Sequence, residues 1–185
     1  MKKEYCPVDE LAEMVSSDHE YDRLEAARAP MLVESQMIEL ANDSDYSVRK
    51  ALASRPDLTS DAIRAIVSSE SETELVSLAL RGYKGSELLS ELAKNTDCSI
   101  RRLAASHEKT SESALLDLAT DNHKMVRHAL VAREEIPFDV QKILSRDPSL
   151  EIRMDLARRG DDLPYVIYII LKEDIDQSVR NIVTE

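Results

Sequence analysis

Glycine, large aromatics and cysteine are all scarce in this sequence. Three glycines in 185 residues fall far below the usual ~7%, which excludes a loop-rich enzyme built on backbone turns. One Phe, six Tyr and no Trp exclude a β-sandwich as well, because that fold needs turn glycines and inward aromatics. Two cysteines, Cys6 and Cys98, make no disulfide framework and are expected as reduced thiols in a cytosolic protein. No secretory apolar segment follows Met1-Lys2-Lys3. The longest apolar run, Tyr165 to Leu171, is far too short to cross a bilayer. The expected location is the cytoplasm, with no membrane partner.

Positive charge is also in short supply. The 24 Lys+Arg face 36 Asp+Glu, a formal net charge of −12. Wrapping a nucleic acid over the whole surface needs dense Lys/Arg and is disfavoured, whereas a local basic stripe remains open. The sequence has no Gly-rich phosphate loop, no nucleophile elbow, and no His/Cys set with metal-ligand spacing. His19, His107, His123 and His128 read as exposed helix or loop residues. The expectation is a chain without catalytic residues, cofactor or metal.

What the sequence does contain is a period of 26 residues, the first thing to seek in any chain. Met14, Leu40, Ile66, Leu92, Leu118, Leu144 and Ile170 form one column, followed by Val15, Ala41, Val67, Ala93, Ala119, Ser145 and Leu171. Three residues before the first column lie Leu11, Met37, Ile63, Leu89, Leu115, Gln141 and Ile167. Only Gln141 is polar, with Val140 beside it. These offsets of i, i+3 and i+4 put one apolar stripe on a short helix. A second stripe follows in each copy: Ala26, Leu52, Leu78, Ala104, Leu130 and Leu156, then Ala27, Ala53, Ala79, Ala105, Val131 and Ala157. In the last copy the second helix slips by one residue, to Val179, Arg180 and Val183.

Helix-ending residues fall in the same register. Pro30, Pro56, Gly82 and Gly160 stand just past the second helix. Thr59 and Ser111 sit where the first helix needs a cap, and Pro137 replaces them in a later copy. The first helix is expected to span about ten residues and the second slightly fewer, both too short to persist alone in water. Each exposes an apolar face that only a neighbouring copy covers. The predicted fold is all-α: a right- or left-handed α-solenoid of about six to seven two-helix repeats of 26 residues. The repeats run roughly 8–33, 34–59, 60–85, 86–111, 112–137, 138–163 and 164–185, in one domain over 1–185. A compact bundle, the rival architecture, has no use for seven copies of one period.

The clearest copies are Asp43 to Arg55 (DSDYSVRKALASR), Asp121 to Arg133 (DNHKMVRHALVAR) and Asp147 to Arg159 (DPSLEIRMDLARR). This pattern of Asp, then Val/Ile-Arg, then Leu-Ala, then Arg resembles bacterial HEAT-like repeats, and most closely the short leucine-rich repeat variant. The resemblance extends from about Leu11 to Val183. It implies an α-solenoid that serves as a binding scaffold, with an α-helix paired to a shorter, sometimes 3₁₀, helix. An iron–sulfur centre known in that group is not carried over. It needs about four thiolates, and here only Cys6 precedes the repeats, with Cys98 remote. A related solenoid class of DNA glycosylases is a remote alternative, for which the aromatic lining of a base pocket is lacking.

Two arginine columns run through the repeats. The first reads Arg23, Arg49, Arg101, Arg127 and Arg153, with Leu75 in one copy and Arg180 after the slip. An Asp stands six residues earlier at Asp43, Asp121 and Asp147, and Asn95 takes that place before Arg101. Arginine is a five-donor fork suited to bridging a carboxylate and loop carbonyls, so these residues are expected to form a structural Asp–Arg ladder. The copy with Glu74-Leu75 has Ser69 in place of the Asp; both partners are lost together. The second column, Arg55, Arg81, His107, Arg133 and Arg159, sits where the helix dipole favours cations. It is the candidate binding edge for an acidic peptide, a phosphorylated segment or a nucleic-acid backbone.

Two further features stand out. The Leu75 copy carries Glu70, Glu72 and Glu74 together with Gly82 and Gly85 around Tyr83-Lys84, a solvated acidic loop beside a bend. Tyr165 to Leu171 (YVIYIIL) is apolar on nearly every side, although a terminal repeat should have a polar outer face. Either the segment from Asp174 onward folds over it or a partner does. Tyr165, Tyr168 and Ile169 are thus the candidate oligomer surface for a homodimer through the C-terminal repeat. The function expected first is a non-catalytic scaffold for another protein or peptide, and the alternative is polyanion binding along the arginine edge.

Overall fold

The computed structural model of the chain describes residues 8–68, 73–81 and 83–184. Cys6, Ser69, Glu70, Glu72 and Gly82 lie outside the described residues, as do the side chains of Glu74 and Leu75. Every regular element among the described residues is helical, with fourteen α-helices, one 3₁₀ turn and no strand. No helix among them is long and apolar enough to cross a membrane. The chain groups into two compact units, Met1–Lys84 and Gly85–Glu185.

The first unit holds α1 (Val8–Val15), α2 (Glu20–Arg28), α3 (Glu34–Ala41), α4 (Tyr46–Ala53), α5 (Ser60–Ser68) and α6 (Thr73–Leu80). Here α2 packs on α4 and α4 on α6, while α1 packs on α3 and α3 on α5. The second unit holds α7 (Glu87–Leu92), α8 (Cys98–Ser106), α9 (Glu112–Ala119), α10 (Lys124–Val131), α11 (Phe138–Leu144), α12 (Leu150–Ala157), a 3₁₀ turn at Gly160–Asp162, α13 (Tyr165–Lys172) and α14 (Gln177–Thr184). Here α8, α10, α12 and α14 pack in succession, and α9 packs on α11. Within each unit these alternate helices therefore meet their counterparts one period on.

The apolar stripes explain this order. Met37, Leu40 and Ala41 of α3, and Ala114, Leu115, Leu118 and Ala119 of α9, are buried, as are Val48, Leu52 and Ala53 of α4 and Ile100, Ala104 and Ala105 of α8. Alanine at the contact lets short helices approach closely, and truncating one of the fully buried leucines would cost about 2–5 kcal/mol. Capping sets the starts. Thr59 Oγ accepts from the Ala62 N–H at 3.2 Å and Ser111 Oγ from that of Ala114 at 3.4 Å. Asp45 and Asp97 accept from the N–H groups of Ser47 and Ser99 at 2.7 and 2.8 Å. The first helix of a pair is not generally the longer one: α7 has six residues against nine in α8 and α11 seven against eight in α12, α3 matches α4 and α9 matches α10 at eight, and α5 exceeds α6 by nine to eight.

The register departs from 26 in two places. In α6 the buried residues are Val76, Ala79 and Leu80, and Leu78 is only half-buried, so this helix turns a different face inward from the one the column of Leu78 predicts. Near the C-terminus, Ile167 and Leu171 are buried while Ile170 is half-buried. Leu171 thus fills the place of Leu144, and the one-residue slip lies before α13, not in the last helix. The extra residue is absorbed at the 3₁₀ turn, where Gly160 has a φ of 55°, a left-handed conformation that favours glycine. Gln141 is buried alongside Val140. Its Nε2 donates to the Ile136 carbonyl at 2.8 Å, which accommodates half of the amide in an otherwise apolar column, while its Oε1 is buried without a partner among the described residues.

Candidate functional site

The first arginine column lies in the early turns of α2, α4, α8, α10, α12 and α14, and its guanidinium groups reach in two directions. One nitrogen donates to the backbone carbonyl six residues earlier: Arg49 to Asp43 at 2.7 Å, Arg101 to Asn95 at 2.8 Å, Arg127 to Asp121 at 2.7 Å, Arg153 to Asp147 at 2.8 Å and Arg180 to Asp174 at 2.6 Å. The fork formed by Nε and Nη2 meets the Asp carboxylate of the following copy. Arg127 donates to Asp147 at 2.7 and 3.0 Å, Arg101 to Asp121 at 2.6 and 3.0 Å, Arg23 to Asp43 at 2.6 and 3.1 Å, and Arg153 to Asp174 at 2.7 and 3.2 Å. The Asp six residues before an arginine therefore accepts its hydrogen bond at the backbone carbonyl, while its carboxylate acts on that arginine only through space. The ion pair is made 20 residues ahead, or 21 across the Gly160 turn.

Each of these carboxylates also closes its own loop. Asp43, Asp121, Asp147 and Asp174 accept from the backbone N–H two residues on, all at 2.8 Å. Hydrogen bonding from Arg101 holds the Asp121 carboxyl below the ordinary aspartate value against the opposing effect of burial. For Asp43 and Asp174, burial pushes upward, but the hydrogen bonds from Arg23 or Arg153 and from the loop N–H together outweigh it. Arg127 is 8% exposed and Asp147 4%, making theirs the most enclosed of these pairs.

The second column reaches backwards. Arg133 Nη1 donates to the carbonyls of Ala105 and His107 at 2.7 and 2.8 Å. Arg159 donates to those of Arg133 and Glu134 at 2.8 and 2.6 Å. Arg55 holds the carbonyls of Ala27 and Ala29 and forms a fork to Asp57 at 2.9 and 2.8 Å. These carbonyls belong to the last turn of the preceding second helix or the residues just past it, where a helix leaves acceptors without internal donors. Burial lowers the pKa of Arg133. Arg55, Arg133 and Arg159 are half-buried and Arg81 is exposed. His107, also half-buried, accepts from the Lys109 N–H at Nδ1.

At the C-terminal end, α14 packs against α13, so the final segment does cover part of the apolar helix. Tyr165 and Val166 stay 76% and 51% exposed, whereas Tyr168 and Ile169 are half-buried. The rings of Tyr165 and Tyr168 stack at 6.3 Å. One further cluster was not singled out by the sequence. His128 of α10 and Glu151 and Asp155 of α12 bring ligand-type atoms within 4.8 Å of one another. His128 Nε2 lies 2.9 Å from Asp155 Oδ2, Lys124 donates to Glu151 at 2.6 Å, and Arg158 pairs with Asp155. Cations thus already meet both carboxylates, and the cluster joins neighbouring helices electrostatically.

Comparison with known families gives no matching family model, and comparison with curated proteins gives no match.

Proposed function

We propose that the chain is a non-catalytic scaffold for protein–protein interaction, an α-solenoid of about six to seven helix pairs of the HEAT-like, variant-leucine-rich kind. The observation that carries this reading is the use of both arginine columns between successive helix pairs, forward to a carboxylate and backward to helix-end carbonyls. With those guanidinium groups engaged, the remaining charge is dominated by the 36 Asp+Glu, and the outer surface suits a cationic or apolar protein partner.

The same observation weighs against the polyanion alternative. Arg55, Arg133 and Arg159 would have to release carbonyls to bind phosphate, which leaves exposed Arg81 as the readiest donor of that edge. Heparin chromatography at physiological salt tests the choice: the chain should pass unretained. Retention that is abolished by Arg81→Glu would overturn the scaffold reading in favour of the polyanion one. A homodimer through the C-terminal helix pair is a second reading, favoured by the exposure of Tyr165 and Val166.

A further inference from the structure

Within the second unit, a groove of about 420 Å³ opens at the start of α9 and α11. Phe138 and Pro137 contribute its exposed apolar surface above the buried Leu115 and Ile136, and Glu108, Glu112 and Glu135 its carboxylates. Phe138 is 43% exposed, so part of its side chain is open to a ligand. Arg133 is the one cation lining the groove. Its donors are held by the carbonyls of Ala105, His107, Glu108 and Glu135, so its fork makes no direct pair with the carboxylates, and its single charge leaves the three glutamates in excess. Lys109 approaches Glu108 at 3.7 Å, and Glu112 and Glu135 form no ion pair among the described residues.

This combination selects its occupant by chemistry. A long cationic side chain lays its methylenes on an apolar surface while its head stays polar. A cation over an aromatic face is attracted by the ring quadrupole. A guanidinium is planar, stacks on rings and donates in pairs to carboxylates, which an ammonium does not. We infer that this groove docks an arginine side chain, flanked by an aliphatic residue, on a peptide segment of a partner protein. The inference rests on the scaffold reading and adds to it the partner's chemistry.

The test is a titration of the full-length, ¹⁵N-labelled chain with acetyl-Leu-Arg-Leu-amide, followed by amide chemical shifts. Saturable shifts are expected at Leu115, Ile136, Phe138 and their neighbours. The counterpart in which neutral citrulline replaces arginine should bind at least about fivefold more weakly, and the Glu112→Gln/Glu135→Gln variant about tenfold more weakly, in line with exposed charge contacts. Both glutamates are exposed, so the variant keeps the fold. Equal binding of the citrulline peptide, shifts scattered over the chain, or an unchanged variant would overturn the inference. Spermidine competing as well as the peptide would reassign the groove to small polyamines. Shifts that vanish on dilution without peptide would reassign it to a second copy of the chain. A protein partner held equally by wild type and variant would sink the groove and leave the scaffold reading standing.

Discussion

Replacing Asp147 by Asn tests whether the forward ion pair holds neighbouring helix pairs together. The change keeps an oxygen for the Ser149 N–H, which Asp147 Oδ1 accepts at 2.8 Å, and so preserves the loop. It removes the charge opposite Arg127, which donates to this carboxylate at 2.7 and 3.0 Å. Arg127 would keep the Asp121 carbonyl at 2.7 Å but would lose the counter-charge of an enclosed guanidinium, its side chain 10% exposed against 2% for Asp147. Breaking a buried pair from one side costs about 3–5 kcal/mol, and the carbonyl contact points to the lower end, about 3 kcal/mol. Asp147→Ala should cost about 1 kcal/mol more, because the loop acceptor goes too. The assay is urea unfolding by circular dichroism, with amide exchange in α10 and α12 as a local readout, since arrays of short repeats need not unfold in one step. Glu151→Gln is the control. It loses the exposed Lys124 pair, with side chains 48% and 57% exposed, and should cost under about 1 kcal/mol. In a double-mutant cycle with Arg127→Met, the two losses should be strongly non-additive. Equal effects of Asp147→Asn and Glu151→Gln, or additive losses in the cycle, would refute the argument.

The backward column predicts that Arg159→Lys destabilises by about 2 kcal/mol, because an ammonium cannot span the carbonyls of Arg133 and Glu134 together; thermal unfolding reads this directly. Acid should also unfold the chain. The folded pKa of Asp43, Asp121 and Asp174 is lowered, so their stabilisation is complete above the ordinary aspartate value of about 3.9 and is lost as pH falls through the lower folded value. A urea midpoint constant from pH 7 to 5 that falls below about pH 4 is the expected result. Tyr165→Glu with Val166→Glu should abolish self-association in sedimentation experiments while leaving the melting temperature within about 2 °C. An unchanged sedimentation coefficient at high concentration would remove the homodimer reading.

Sequence pattern made much of the helical order legible because small aliphatics at fixed offsets have one physical use, a buried stripe. Leu40, Leu118 and Leu144 are all fully buried or nearly so. The pattern failed where burial is decided by local rotation. Leu78 has the right residue type, yet Val76 and Leu80 take the interior. It failed again at Ile170 and Leu171, equally apolar neighbours between which periodicity alone cannot choose; the left-handed Gly160 turn shifts the register. In the site, the arginines were visible as columns, but their directions were not. The spacing from Arg101 to Asp121 and from Arg127 to Asp147 is present in the sequence, but so is the nearer Asp, and periodicity does not choose between the two. Backbone carbonyls carry no sequence signal, so the acceptors of Arg133 and Arg159 are legible only in the fold. The groove beside Phe138 was equally hidden, since its glutamates come from separate loops.

The opposed reach of the two columns bears on how such a chain can change length. The copies that begin at Asp121 and Asp147 each offer a donor forward, an acceptor loop to the copy behind, and an arginine turned back to its predecessor's helix end. Excising residues 121–146 would bring Asp147 to the place Asp121 now holds opposite Arg101, and would set Arg159 over the Ala105 and His107 carbonyls that Arg133 now holds. This cut of one whole period therefore leaves Arg101 and Arg159 with acceptors, whereas a cut that is not a whole number of periods strands an enclosed guanidinium. Selection against stranded charge makes gain or loss of whole copies the easy route of variation, and partial copies the costly one.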